Sequence, residues 1–167
     1  MLKTVEKFLI ENNIKNKTVI IGFSAGPDSC ALALLLSELQ NKLNLKLILA
    51  NFNHNWRKEA LFEEEFTKDF AKKINAEFYI EKSPKNSPKT EENARKLRYN
   101  FFEKTADLFK SDVVLLAHNK NDNIETLIYR IIKGTSIKGL SAIPEIRDIY
   151  YRPLLQISKE EILNYLK

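Results

Sequence analysis

Short β-branched runs alternate along this chain with longer segments of helical period. Thr18 to Phe23 (TVIIGF) is a continuous apolar run of strand length and predicts a buried strand. Ser29 to Lys42 predicts a helix and Leu45 to Phe52 a second strand. Glu59 to Ile74 predicts a second helix, with Leu61, Phe62, Phe66 and Phe70 at near-helical spacing. Glu77 to Ile80 is a short third strand, and Glu91 to Phe109 a helix. Ser111 to Ala117 holds a fourth strand built on Val113, Val114, Leu115 and Leu116. Asn121 to Lys133 predicts a helix ended by Gly134. Ser158-Lys159-Glu160-Glu161 is a capping box that opens a last helix. Strands alternating with helices imply an α/β fold: a parallel twisted sheet with flanking helices. Right-handed crossovers then put the strand C-terminal ends on one edge, where ligands bind in such folds.

Composition narrows the setting. The 167 residues fit one domain over 1–167, and 44% hydrophobic content supports a sizeable core at that length. The net charge of +5 fits a polyanionic partner such as nucleic acid, and equally a Lys- and Asn-rich background composition. Cys30 is the single cysteine, which excludes an internal disulfide framework and a C-x-x-C metal site. It lies in the apolar run Cys30 to Leu34 and reads as a buried structural thiol. No apolar stretch reaches transmembrane length and the start carries no signal-peptide pattern, so no membrane partner is expected and the cytoplasm is the expected location. Lys82 to Thr90 (KSPKNSPKT) reads as an exposed loop, either a solvated connector or a basic segment touching RNA phosphates.

The chemistry clusters after the strands. Ser24-Ala25-Gly26-Pro27-Asp28-Ser29 joins the first strand to a helix. Such a loop turns unpaired N–H groups outward at a positive dipole end, which favours an anion. Gly26 admits close approach of a ligand to the backbone, and Pro27 suits the first helical turn, where its missing N–H costs nothing. Ser24 and Ser29 add hydroxyl donors. Asp28 beside phosphates is repulsive unless a cation intervenes, which points to Mg²⁺. The bland alternative is a capped helix N-terminus. Asp122 and Glu125, at i and i+3, share a helix face and suit a cationic amine or, alternatively, the helix dipole. Ile124, Leu127, Ile128 and Ile131 form the apolar face of that helix. Arg95 and Arg98 share another face, which suits phosphate clamping or surface ion pairs. His54 and His118 each follow a strand. Trp56 could stack on a base or simply pack.

The loop resembles the PP-loop of the N-type ATP pyrophosphatases, S-G-G-x-D-S, with Ala25 in place of the first glycine. Further blocks resemble those of the tRNA(Ile)-lysidine synthases. Asn51 to Arg57 is similar to H-V-N-H-G-L-R, and Glu92 to Phe102 to E-x-x-A-R-x-x-R-Y-x-F-F. Ala117 to Thr126 is similar to A-H-H-x-D-D-Q-x-E-T, Arg130 to Leu140 to L-x-R-G-x-G-x-x-G-L, and Arg152 to Leu155 to R-P-L-L. The order is kept from about Thr18 to Leu155. Asn119, Asn121 and Asn123 replace the family's His, Asp and Gln, and Lys133-Gly134-Thr135-Ser136 has lost one glycine of R-G-x-G.

The resemblance implies an adenine nucleotide alpha hydrolase-like fold, without the family's C-terminal tRNA-binding segments. It implies ATP and Mg²⁺ as cofactors, with Ser24, Ala25, Gly26, Pro27, Asp28, Ser29, His54 and His118 around ATP and Asp28 on the metal. Catalytic roles fall to Asp28, Asp122, Glu125 and Arg98, and lysine binding to Asp122 and Glu125. Contacts to tRNA phosphates fall to Arg95, Arg98, Lys133 and Arg152. The implied partners are tRNA(Ile) with a CAU anticodon and free L-lysine, and the implied product is lysidine. Rival expectations are a tRNA 2-thiolation enzyme, a nucleotide-binding domain without catalysis, and an amidotransferase-type synthetase. A lone Cys30 argues against the first of these.

Overall fold

A computed structural model describes residues 1–54, 60–84, 87–134 and 142–167, with the side chains of residues 60 and 61 outside that description. Trp56, Arg57 and the stretch 135–141 therefore lie outside the described residues, as do Lys85 and Asn86 of the basic loop.

Strands β1 (Thr18–Gly22), β2 (Lys46–Asn53), β3 (Glu77–Lys82) and β4 (Val114–Leu115) are parallel neighbours in the order β3-β2-β1-β4. The sheet continues through β6 (Tyr150–Tyr151), parallel to β4, to β5 (Ile146–Arg147), antiparallel to β6. Between them run α1 (Leu2–Glu11), α2 (Pro27–Leu43), α3 (Ala60–Lys73), α4 (Glu91–Phe109), α5 (Lys120–Ile132) and α6 (Lys159–Tyr165). The chain winds outward from β1 to β3 and then crosses back to β4 on the other side of β1. That reversal opens a crevice at the C-terminal edge between β1 and β4.

Side-chain alternation along the strands divides the core into two layers. Val19, Ile21, Leu47, Leu49 and Leu115 point to the face covered by α1, α2 and α6. Ile20, Ile48, Ala50, Val114 and Leu116 point to the other face, against Phe101, Phe102 and Ala106 of α4. Helix α2 is buried continuously from Ser29 to Ala33 and then along one side through Leu35, Leu36, Leu39 and Leu43, with Glu38, Asn41 and Lys42 exposed on the other. It lies under the sheet on one side and meets α1 and α6 on others, so its polar face is confined to the C-terminal half. Gly22 ends β1 where α4 presses closest: a Cβ there would stand 2.8 Å from Leu116 Cδ2 and 3.0 Å from Phe102 Cζ.

The structure adds to the pattern reading in four places. Helix α1, absent from the pattern reading, buries Val5 and Leu9 against the core. The β5–β6 hairpin adds one antiparallel strand to a sheet expected to be parallel. The apolar stripe of α5 is not packed: the helix buries no residue, and Ile124, Ile128 and Ile131 are all about half exposed. The basic loop is also shorter than expected. Lys82 closes β3 in an ion pair with Glu64 at 3.1 Å, Ser83 is buried, and Thr90 caps α4 by accepting from the Asn93 N–H. No helix of the described residues is long and apolar enough to cross a membrane.

Candidate functional site

The crevice is a cleft of about 830 Å³. Its floor is formed by Gly22 to Ser24 at the end of β1, Ala50 to His54 at the end of β2 and Leu116 to His118 after β4; its far wall is Arg95, Arg98, Tyr99 and Phe102 of α4, with Glu91 and Glu92 at the start of that helix. Asp28 and Ser29 bring in the first turn of α2.

The loop before α2 is built by its own short side chains. Gly26 is the N-cap and Pro27 the first helical residue, and no side chain among the described residues caps the helix. The N–H groups of Asp28 and Ser29 therefore face outward, available to an external acceptor. Ser29 is buried and its hydroxyl donates to Gly26 O at 2.9 Å, while accepting from the Ser24 N–H at 3.2 Å. That hydroxyl thus closes the loop upon itself, a different use from the ligand donor expected. Ser24, exposed, keeps its hydroxyl 3.3 Å from that of Ser29. Gly26 has φ −81° and ψ 165°, a conformation open to any residue. The left-handed position is Ala25, at φ 59°.

Asp28 sits at the mouth of this loop. Its Oδ2 accepts from Lys159 Nζ at 2.5 Å, and its Oδ1 is buried with no partner among the described residues. A hard, incompletely satisfied carboxylate oxygen at a phosphate-type loop fits Mg²⁺.

Both histidines enter the cleft. Burial, followed by the Arg152 charge, drives the His118 imidazole down to about 4, outweighing the opposing pull of Asp122. Its Nδ1 finds no partner among the described residues. Burial, then Arg98, lowers His54 as well, and its ring meets Phe52 edge-on at 4.9 Å. Both rings are uncharged at neutral pH. Asn51 is buried, and its side-chain amide donates to Phe23 O at 2.9 Å, tying β2 to the start of the loop.

Arg95 lies over the Tyr99 ring at 5.4 Å, and with Arg98 it puts two cations on the α4 wall. Arg152 does not join them. It is buried, with Nη1 donating to Pro144 O at 2.9 Å, and its charge acts on His118. Lys133 is exposed at the end of α5, over the Tyr129 ring at 5.7 Å.

Asp122 and Glu125 are not among the residues that line the cleft. Asp122 Oδ2 accepts from the Asn119 N–H at 2.8 Å, and Asn119 Oδ1 accepts from the Asn121 and Asp122 N–H groups, a closed capping box. Glu125 is exposed one turn on. The three asparagines that depart from the resembled pattern all have structural work. Asn119 caps α5, Asn121 Oδ1 accepts from the Lys159 N–H at 3.0 Å, and Asn123 Oδ1 accepts from the Ile143 N–H at 2.7 Å. Cys30 is buried, and desolvation pushes its thiol up to about 11, which makes it inert as a nucleophile.

Two features of the site escape sequence reasoning. Gly22 carries no motif, and the contact between Asp28 and Lys159 spans 131 positions of sequence.

The profile of a family described as the PP-loop domain matches residues 1–167. The chain is similar to a tRNA(Ile)-lysidine synthase of Clostridium tetani, 39% identical over 173 residues that span 99% of this chain and 37% of that protein. A tRNA(Ile)-lysidine synthase of Petrotoga mobilis is 34% identical over 172 residues, spanning 98% of this chain and 55% of that protein. The chain thus spans between about a third and about half the length of these curated relatives. Among solved structures, the U34-tRNA thiolase NcsA from Methanococcus maripaludis superposes with a TM-score of 0.81 at 21% identity, covering 98% of this chain and 60% of that one. A likeness at that identity concerns the fold.

Proposed function

The chain belongs to the PP-loop domain family, and on that premise we propose that it is the ATP-using part of a tRNA-modifying ligase that makes lysidine. The observation that carries this is the uncapped N-terminus of α2 opening into a cleft with two cations on its far wall. The names of the similar proteins supply the substrate class.

In the reaction, O2 of the wobble cytidine in a CAU-anticodon tRNA(Ile) attacks the α-phosphorus of ATP. The bond from that phosphorus to the bridging oxygen breaks, and pyrophosphate leaves. The adenylated base then carries a good leaving group at C2. The side-chain amine of free L-lysine attacks C2, AMP departs, and lysidine results. The amine must first lose a proton, since an ammonium has no lone pair.

The N–H groups of Asp28 and Ser29, with the Ser24 hydroxyl, receive the polyphosphate. Ala25, Gly26 and Pro27 shape that cradle. Magnesium held by Asp28 supplies charge neutralisation at the leaving pyrophosphate when bound. Neutral His54 and His118 suit hydrogen bonding to the nucleotide better than proton transfer, because His118 holds a proton only in acid. Arg95 and Arg98 clamp phosphate groups where the tRNA meets the nucleotide. Lys133, exposed at the end of α5, is a further tRNA contact. Asp122 keeps one carboxylate oxygen beyond its capping bond, and with Glu125 it offers negative charge to the incoming lysine.

Asp28→Ala tests the assignment. Expected is a fall in Mg²⁺-dependent AMP formation of at least about a hundredfold, as for loss of one electrostatic stabiliser, with little change in the thermal melt. AMP formation at the native rate would remove Asp28 from the metal site.

A further inference from the structure

Lys159 has no role in the reaction as described above, yet its place is specific. It opens α6, and its main-chain N–H donates to Asn121 Oδ1 at 3.0 Å. The preceding Ser158 forms a capping box with Glu161, and Ile157 and Ile162 on either side are buried. The backbone of Lys159 is therefore fixed against both α5 and the core. From that anchor its ammonium reaches Asp28 Oδ2 at 2.5 Å, on the first turn of α2. About a third of the Lys159 side chain and a quarter of Asp28 remain exposed, at 35% and 27%. An ion pair that wet adds little to stability. Asp28 also gains from the α2 dipole without any help. Fold stability thus gives no account of a lysine at this spot.

The chemistry of the loop does. Asp28 precedes Ser29 in the turn whose N–H groups face an anion, so phosphates seated there lie within the swing of the lysine stem. Lysine is a compact point charge with three rotatable donors on a flexible four-carbon chain, which suits a change of partner. A divalent cation on Asp28 would claim the carboxylate that now holds the ammonium.

From this geometry we infer that Lys159 is a polyphosphate ligand, held at the loop by Asp28 and within reach of the β- and γ-phosphates of a magnesium nucleotide seated there. The inference rests on the nucleotide reading above and adds a residue from a distant element to the loop.

The test is calorimetric binding to the full chain in Mg²⁺, with pyrophosphate, ATP and AMP as separate probes. Native protein, Lys159→Met and Lys159→Arg are compared. Lys159→Met is expected to weaken pyrophosphate and ATP by about tenfold, or ~1.4 kcal/mol, while AMP binding holds. Lys159→Arg is expected to recover most of the loss, with the thermal melts of all three alike. Pyrophosphate bound by Lys159→Met as tightly as by native protein, or more tightly, overturns the inference, since the lysine would then only compete with the cation for Asp28. Equal weakening toward AMP overturns it too, because the damage would be to the loop as a whole. If native protein binds none of the three probes, the nucleotide reading falls and this inference with it. Native binding with an unaffected Lys159→Met removes Lys159 alone.

Discussion

Ala25→Gly should make this protein more stable. Ala25 holds φ 59° in the turn between β1 and α2. In that region the Cβ of an L-residue crowds the following carbonyl, at a cost of roughly 1–2 kcal/mol. Glycine removes the crowding but loses more chain entropy on folding, about 0.5–1 kcal/mol. The balance is a gain of about 0.5–1 kcal/mol. For a domain of this size that raises Tm by about 1–4 °C. Urea denaturation is the sharper assay: the midpoint should rise while the slope stays fixed, because the surface exposed on unfolding does not change. Gly26→Ala is the internal control. Its backbone, at φ −81°, accepts any residue, and its new Cβ would meet only Ser24 Oγ, at 3.4 Å. That variant should sit within about 0.5 kcal/mol of the native protein. A destabilised Ala25→Gly, or a large loss at Gly26→Ala, would refute the assigned loop conformation.

Gly22→Ala should cost about 1–3 kcal/mol by overpacking against Leu116 and Phe102, read as a lowered urea midpoint. Because the folded pKa of His118 lies below the unfolded value of about 6.5, its neutral form contributes stability in full above about pH 6.5. That contribution, about 2–3 kcal/mol, is lost as pH falls toward about 4. Thermal melts over that window should fall more steeply for native protein than for His118→Gln, and parallel curves would contradict the burial argument. Glu125→Ala should raise the lysine concentration needed for half-maximal turnover by about tenfold, as for loss of a charged hydrogen bond. An unaltered lysine dependence would take Glu125 out of the site.

The parts legible in sequence are those with a local cause. Helix α4 starts and ends as the pattern predicts, and Thr90, a side chain suited to an N-cap, marks its start. The capping box of α6 was readable for the same reason. The phosphate-type loop was legible from residue order alone, but its internal geometry was not. Nothing in an alanine announces a left-handed backbone, and a serine hydroxyl can turn outward or, as Ser29 does, back onto Gly26 O. Strands of two residues, such as Ile146–Arg147 and Tyr150–Tyr151, are too short to show a period; the second exists through pairing with β4 and the first through pairing with the second. The periodicity of α5 was read correctly as a stripe but not as an exposed one, since burial depends on neighbours that sequence spacing does not supply. Arg152 sits in a motif that the resemblance made functional, and only the fold reveals its burial and its charge effect on His118.

The most direct test of the central claim is release of AMP from α-labelled ATP in Mg²⁺, with and without a CAU-anticodon tRNA(Ile) transcript and with and without lysine. The account predicts AMP release that depends on both tRNA and lysine. Bound ATP with no AMP under any of these conditions, or AMP formed equally well without tRNA, would contradict it.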